Sequence, residues 1–171
     1  MKKFFAIACM MLMSTAMFAQ DNKMAVGVNL GYGLSDNYKP FGIGARFQYE
    51  FVENIRAEVN GNFWFPKDDT RVIDVNLNFA YLIPLGESVK VYPTAGIGLL
   101  NSGATGDTKK LLEAFNQDTN KTMFSWNVGA GIEYAISAST KIFAEIKYQY
   151  AKSDEWEVKW EPIAVGVAFS F

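Results

Sequence analysis

Large apolar residues alternate with small or polar residues along eight stretches of the chain. In the last stretch, 163–171, every odd-numbered residue is large and apolar, and every even-numbered residue is small. A period of two places these two sets on opposite faces of an extended strand. The same alternation predicts seven earlier strands, at 24–34, 41–51, 55–65, 71–83, 89–99, 122–136 and 141–150. We therefore expect an all-β chain of eight consecutive strands.

The breaks between these strands differ in length in a regular way. Those after strands two, four and six are short, while those after strands one, three, five and seven are longer on average. In an antiparallel up-and-down meander, the short turns then lie at one end and the longer loops at the other. Outer-membrane barrels show this asymmetry, because their periplasmic turns are short and their external loops are longer.

Aromatic residues of the apolar face concentrate near the strand ends. With the chain start on the periplasmic side, the outer ends carry Tyr32, Phe41, Phe63, Phe65, Phe124, Trp126, Tyr148 and Tyr150. The periplasmic ends carry Tyr49, Phe51, Phe79, Tyr81, Tyr134, Phe169 and Phe171. Aliphatic residues lie between them, and two aromatic girdles around an aliphatic band fit a bilayer. The pattern predicts an eight-stranded antiparallel up-and-down transmembrane β-barrel whose apolar face contacts outer-membrane lipid.

The opposite face carries glycines and charges of both signs, and we expect it to line the lumen. Its charged residues are Arg46, Glu50, Arg56, Glu58, Asp74, Lys90, Glu133, Glu145 and Lys147. Across the turn at 52–54, Glu50 and Arg56 should lie directly opposite one another. These groups could form a neutralising structural network, a cation path or an acid–base pair. An eight-stranded barrel is just wide enough to be filled by its own side chains, which favours the structural network.

A soluble eight-stranded barrel of the lipocalin kind is the rival architecture. Its apolar face would point inward around a ligand, and its other face would contact water. A glycine-rich face with scattered charges of both signs fits a crowded interior better than a water-exposed surface. The membrane barrel is therefore the favoured interpretation, and a soluble periplasmic ligand-binding barrel is the alternative.

The first nineteen residues form a separate segment. Lys2 and Lys3 precede an uncharged apolar run, and Ala19 precedes a polar stretch, as in a secretory signal peptide. We expect residues 1–19 to be removed on export and residues 20–171 to form the barrel domain. Without Lys2 and Lys3, 14 basic and 18 acidic residues remain, a net charge of −4. This balance gives no basic footprint for nucleic acid.

Composition excludes several kinds of chemistry. The chain has no histidine, and its only cysteine, Cys9, lies in the signal peptide. A Ser-His-Asp site and a zinc site built from His and Cys are therefore excluded. The Gly-x-Gly patterns at 96–98 and 129–131 lie inside predicted strands, so they are not phosphate loops. We expect no enzymatic activity and no cofactor.

The chain end resembles the C-terminal signal by which outer-membrane barrels are recognised for assembly. Its alternating residues are Val165, Val167, Phe169 and Phe171. The mature chain is similar to small barrels of the OmpA/OmpX-like type, and especially to the outer-membrane β-barrel domain family of Bacteroidota. This resemblance implies the outer membrane of a Gram-negative bacterium and the barrel assembly machinery as a partner. It transfers no catalytic residue.

The long break at 101–121 is the main functional candidate. Residues 107–115 predict a short helix with an apolar stripe of Leu111, Leu112 and Phe115. The stripe could pack against the barrel rim as a lid, or contact a surface partner, and Trp156 and Trp160 in the last loop pose the same question. Packing is favoured for both. The expected function is envelope integrity or surface contact and adhesion, with a narrow channel for small solutes as the alternative.

Overall fold

The computed structural model describes residues 23–35, 39–115, 117, 119–153 and 157–171. The predicted signal peptide and Trp156 lie outside these residues. Ten strands and one helix follow each other along the described chain: β1 Met24–Gly33, β2 Phe41–Val52, β3 Ile55–Lys67, β4 Thr70–Tyr81, β5 Ile83–Pro84, β6 Val89–Ala104, α1 Gly106–Ala114, β7 Asn120–Ala135, β8 Thr140–Lys152, β9 Glu157–Trp160 and β10 Pro162–Ser170. No helix among the described residues is long and apolar enough to cross a membrane.

The ten strand segments form a barrel wall of eight strands, because two of the eight are interrupted. Strand β5 pairs with β6 in the same register as β4, and only Leu82 separates β4 from β5. Strand β9 likewise pairs with β8 in the register of β10, with Glu161 between them. Pro162 follows this break and has no N–H to donate, which explains why the ladder is interrupted there. The prediction of eight strands is confirmed.

The wall closes on itself. Each strand pairs antiparallel with its neighbours, and β10 pairs with both β1 and β8. Paired residues can be followed once around the barrel through Phe169, Val26, Phe47, Val59, Leu77, Ile97, Trp126, Tyr150 and Lys159. The path returns to the starting strand at a residue ten positions from Phe169. For eight strands this stagger corresponds to a strand tilt of roughly 40–45°.

Several strands extend beyond their predicted ends. Strand β6 continues to Ala104 and β7 begins at Asn120, so the predicted loop at 101–121 is shortened to 105–119. Strand β3 runs through Pro66, and a two-residue turn of Asp68 and Asp69 follows, with φ of 50° and 56°. Positive φ at both central residues defines a type I′ hairpin turn. Alternation did not reveal these extensions, because backbone pairing continues where neither face is apolar.

The two ends of the barrel differ. The first and last described strands end together at one end of the barrel, where the Phe171 N–H donates to the Met24 carbonyl at 2.9 Å. This "terminal end" also holds the connections at 53–54, 85–88 and 136–139. The opposite "loop end" holds the connections that join β1 to β2, β3 to β4, β6 to β7 and β8 to β9. Connections at the loop end are longer on average, as predicted, although the β3–β4 turn is as short as any.

Apolar side chains point outward and charged side chains point inward. Leu30 is 65% exposed and Leu77 is 41% exposed, whereas Arg46 and Glu145 are only 4% and 6% exposed. Girdle rings contact one another at each end, including Tyr32 with Phe41, Phe51 with Phe79, and Trp126 with Tyr148. This orientation is opposite to that of a soluble barrel with an apolar interior, so that alternative is wrong.

Candidate functional site

Four charged side chains from β2, β3 and β8 form a ring inside the barrel. Arg46 contacts Glu58 at 3.0 Å and Glu145 at 3.4 Å. Lys147 contacts Glu145 at 3.0 Å and Glu58 at 3.9 Å. Each cation therefore faces both carboxylates, and we call this set the charge ring. Gln48 and Asn60 donate further hydrogen bonds to Glu58, both at 2.8 Å. Such complete pairing offsets the cost of burying charge.

A second cluster lies nearer the terminal end. Arg56 contacts Glu133 at 2.6 Å, and Lys141 contacts the same carboxylate at 3.3 Å. Lys141 was missed in the sequence, although it shares the parity of Glu145 and Lys147 on β8. The predicted strand began at this residue, so its inward position could have been read from the alternation. Arg56, Glu133 and Lys141 are called the terminal cluster.

Two aromatic rings pack under the guanidinium groups. Arg46 lies over the Phe143 ring at 3.8 Å from its centroid, and Arg56 lies over the Tyr92 ring at 4.7 Å. The Tyr92 ring approaches the backbone of Gly131 so closely that a Cβ there would be 2.3 Å from the ring. Glycine at this position is thus required for the ring to reach Arg56. Cation–π contacts of this kind strengthen when both groups are removed from water.

Two predicted network members lie outside these clusters. Glu50 pairs with Arg56 in the β2–β3 register as expected, but the Arg56 guanidinium reaches across the lumen to Glu133 instead. Glu50 and Lys90 are half-buried and line the mouth at the terminal end. Neither forms an ion pair with another described residue. Both therefore line the lumen as predicted, but at its mouth and outside the ion pairs of the two clusters.

Asp74 is buried without a cationic partner among the described residues. Its carboxylate accepts hydrogen bonds from Trp64 Nε1 at 2.5 Å, Asn62 Nδ2 at 2.9 Å and Asn76 Nδ2 at 2.5 Å. It was predicted to belong to the charge network, and the structure assigns it to an amide network instead. Further members of that network are Asn29, Asn60, Ser125, Gln149 and Trp160. Three neutral donors stabilise this carboxylate in place of an ion pair.

An apolar layer closes the lumen at the loop end. Its centre is the contact between Trp64 and Trp160, whose rings are 4.6 Å apart at 74°. Val72, Leu100, Met123 and Ala151 complete this layer, which we call the apolar plug. The expectation that Trp160 packs against the barrel is therefore confirmed. Trp160 belongs to β9 rather than to a loop, and its indole N–H donates to Gln149 Oε1 at 3.1 Å.

Part of the inner wall is built from glycine and unpaired amides. Asn78 and Asn127 flank Gly96 on neighbouring strands, and both are buried. Their side-chain amides form no hydrogen bond within the described part of the protein. Such groups are commonly satisfied by internal water. Among the described residues, no group of three or more His, Cys, Asp or Glu side chains could hold a metal ion.

Helix α1 is attached to the β3–β4 turn at the loop end. The Thr105 N–H donates to the Asp69 carbonyl at 2.7 Å, and the Thr108 hydroxyl donates to its carboxylate at 3.1 Å. The predicted helix at 107–115 is confirmed to within one residue. The expectation of a packed lid is wrong for Leu111 and Phe115, which are 60% and 71% exposed. The attachment uses polar groups, and within the stripe only Leu112 is half-buried.

Val165, Val167 and Phe169 of the predicted assembly signal lie in strand β10, which pairs with β1 on one side and β8 on the other, and Phe171 follows it directly. Val165 and Phe169 are about half exposed on the outer surface, whereas Val167 and Phe171 are more covered. Strand β10 is therefore the last element needed to close the barrel. Recognition of these residues by an assembly machinery stays a prediction.

Several solved outer-membrane barrels have the same fold. Neisserial surface protein A (NspA) superposes with a TM-score of 0.68 at 17% identity, covering 86% of this chain and 96% of NspA. The N-terminal β-barrel domain of Pseudomonas aeruginosa OprF has a TM-score of 0.65 at 16% identity, covering 86% and 97%. Ail, the attachment invasion locus protein of Yersinia pestis, has a TM-score of 0.52 at 20% identity, covering 86% and 96%. At these identities the likeness shows the fold alone.

Sequence comparison assigns the family. Comparison with curated proteins finds no significant match. The model of the outer membrane protein beta-barrel domain matches residues 5–171, nearly the whole chain. This match agrees with the closed barrel, its apolar exterior and its charged interior. The chain therefore belongs to the outer membrane protein beta-barrel domain family.

Proposed function

We propose that this protein is a non-enzymatic outer-membrane barrel whose closed body anchors a contact surface at the cell exterior. The main supporting observation is that the interior is filled, whereas the loop end exposes apolar side chains. The lumen is filled by the terminal cluster, the charge ring, the amide network and the apolar plug. At the loop end, α1 exposes Leu111 and Phe115. The barrel thus serves as a support, and α1 as the contact.

The buried carboxylates support a structural role over catalysis. Glu58 and Glu145 each face two cations, and Glu133 faces Arg56 and Lys141. A general acid or base needs access to a substrate proton at hydrogen-bond distance. Glu58 and Glu145 are instead paired and covered inside the barrel, and Glu133, which borders the terminal mouth, is held by Arg56 and Lys141, so none of them is a free acid or base.

The proposed location is based on the family and on two segments, the leader-like residues 1–19 and strand β10. Residues 1–19 would direct export and be removed, and the assembly machinery would recognise strand β10. The terminal end would then face the periplasm and the loop end the exterior, as in other barrels with short periplasmic turns. In this orientation the apolar band contacts lipid while α1 projects from the cell.

The test uses a deletion strain complemented with three forms of the protein. These are the wild type, a Leu111→Ser/Phe115→Ser variant, and a control in which Leu85, exposed in a terminal-end turn, is changed to Ser. Adherence of cells to a solid surface and sensitivity to detergent are measured at matched surface levels. We expect the α1 variant to lose adherence and keep detergent resistance, with no effect of the control. Equal adherence of all three forms would refute a contact role for α1.

A narrow channel is the second candidate, and the wall around Gly96 favours it. Asn78 and Asn127 provide unpaired amides there, and a water path needs such groups. Conductance in planar bilayers separates the two functions. A closed support predicts no steady conductance for the wild type, with openings on loss of the charge ring through Arg46→Ala. Steady wild-type conductance that Arg46→Ala or Glu145→Gln alters would favour the channel.

A further inference from the structure

A cavity of about 250 Å³ lies at the loop end of the barrel. Its floor is the upper face of the apolar plug, formed by Val72, Leu100 and Trp160. Val158 adds a further apolar wall. Because the plug lies directly beneath, this cavity is a cup with a closed bottom rather than the start of a channel.

Hydroxyl groups surround the cup. Ser35, Thr70 and Ser102 line it together with the apolar floor. Apolar walls with a few placed polar groups are typical of small-molecule sites. The volume lies just below the roughly 300–1,000 Å³ usual for drug-sized ligands, so a fitting molecule is smaller than these.

The charge at the cup favours a neutral ligand. Lys159 is the one charged residue among the described residues that line it. Its ammonium group lies over the ring of Tyr150, on the outer face of the wall, and pairs there with the Glu157 carboxylate. Among the described residues, therefore, no charged side chain points into the cup. A neutral head group needs only the hydroxyls.

We propose that the loop end binds a small neutral amphiphile, with an aromatic or short aliphatic body on Trp160 and Leu100. A hydroxyl head would accept a hydrogen bond from Ser102 at the rim and donate one to the Thr70 hydroxyl oxygen, whose own proton goes to the Asp68 carbonyl. This site goes beyond the proposed contact role, because it lies inside the barrel mouth and does not include α1. The closed floor means that the ligand is held at the mouth and does not pass through.

The probe is bromohexanol, whose bromine quenches tryptophan fluorescence on contact. The mature protein is refolded into lipid nanodiscs and titrated, with empty nanodiscs used to measure partitioning into lipid. Trp126 lies on the lipid-facing surface, so a Trp126→Phe/Trp156→Phe background leaves only the two paired rings of the apolar plug, Trp64 and Trp160. We expect saturable quenching from Trp160.

Two aromatic substitutions of the same kind provide the comparison. Ser102→Phe fills the cup, whereas Ser88→Phe lies at the opposite mouth. We expect Ser102→Phe to weaken binding by about tenfold or more, since a hydrophobic pocket discriminates strongly by volume, and Ser88→Phe to have no effect. If Ser102→Phe fails to fold, Val158→Phe fills the same cup from another strand.

The charged analogues bromohexanoate and bromohexylammonium test the preference for a neutral head. Both should bind several-fold more weakly than the alcohol. Tighter binding of either ion would overturn the assignment of a neutral ligand. Quenching that does not saturate, or that Ser102→Phe and Val158→Phe leave unchanged, would overturn the site itself. Neither result bears on the adherence of the α1 variant, which tests the contact role separately.

Discussion

The surroundings of each residue in this barrel, hydrocarbon outside or paired charges inside, determine which side chain is stable there. Val28 faces outward at the centre of β1 and is more than half exposed, so its surroundings would be hydrocarbon. Glu133 faces inward and has two cationic partners. The same backbone conformation thus holds an apolar side chain in lipid and a charged one in a compensated interior. Substitutions should be costly when they exchange these chemistries.

Val28→Arg should destabilise the folded barrel by about 2–4 kcal/mol, because arginine at the bilayer midplane is poorly solvated. Leu85→Arg is the control, since Leu85 is equally exposed but lies in a terminal-end turn. Urea unfolding in lipid vesicles measures both. Similar stabilities of the two variants would show that Val28 does not face the hydrocarbon.

Glu133→Gln should destabilise the barrel by about 3–5 kcal/mol, because it leaves buried Arg56 without a carboxylate partner. Adding Arg56→Met should restore part of this loss, as the uncompensated charge is removed with it. Glu50→Gln is the matched control and should change stability by less than about 0.5 kcal/mol. Urea unfolding of the four proteins provides the comparison. A larger effect at Glu50 than at Glu133 would contradict the observed pairing.

At the scale of elements, the strands form the barrel wall, whereas helix α1 is only attached to it. Helix α1 contacts the β3–β4 turn through Asp69, whereas β6 and β7 pair continuously up to Ala104 and Thr119. The strands therefore need neither α1 nor its connecting residues to find their register. Strand β10, by contrast, is part of the wall itself, and without it β1 and β8 would not be joined.

Replacing residues 105–118 with Asn-Gly should leave the barrel folded. The Ala104 N–H donates to the Thr119 carbonyl, so a two-residue type I′ turn can join these positions. Heat-modifiable migration in electrophoresis reports folding. A deletion of 101–121 removes paired strand residues as well and serves as the comparison, with lower stability expected. Loss of folding in the shorter replacement would show that α1 is structural.

Phe171→Ala should lower the amount of assembled barrel in cells while leaving refolding into vesicles nearly unchanged. The reason is that the residue is proposed to act in recognition during assembly, before the wall closes. Phe51→Ala removes a similar girdle ring at the same end and is the control. Surface levels and refolding yields are compared. Equal surface levels of both variants would count against the signal.

At the scale of the whole molecule, closure determines which side chains meet. Residues far apart in sequence, such as Arg46 and Glu145, become partners only because β8 and β2 face each other across a narrow lumen. The ten-residue stagger sets their relative height. A different stagger would bring other residues together inside the same wall.

Closure can be tested with cysteine pairs, because residues 20–171 contain no cysteine. Val28 and Val167 are directly paired between β1 and β10. Val28→Cys/Val167→Cys should therefore be cross-linked efficiently by a short thiol reagent in isolated membranes. Val28→Cys/Gly61→Cys places the second thiol two strands away and should react poorly. Equal yields would contradict the register.

Much of the fold could be predicted from the sequence because alternation is a local property. From Ile163 to Phe171, the alternation of large and small residues shows which face each side chain occupies. The bilayer favours an apolar outer face in every strand. The eight strands, their outward face, the helix near 107–115 and the inward position of Arg46 and Glu145 all follow from this period. The extension of β6 to Ala104 did not, because backbone pairing there has no apolar pattern to mark it.

The partners inside the lumen were decided only by the tertiary structure. The sequence predicted Glu50 opposite Arg56, and their backbones do pair, but Arg56 binds Glu133 on the far wall. Asp74 likewise turns to Trp64 and two asparagines. Alternation states that a side chain points inward, whereas its partner depends on closure, stagger and the reach of long side chains. These are relations between distant strands, so no local pattern contains them.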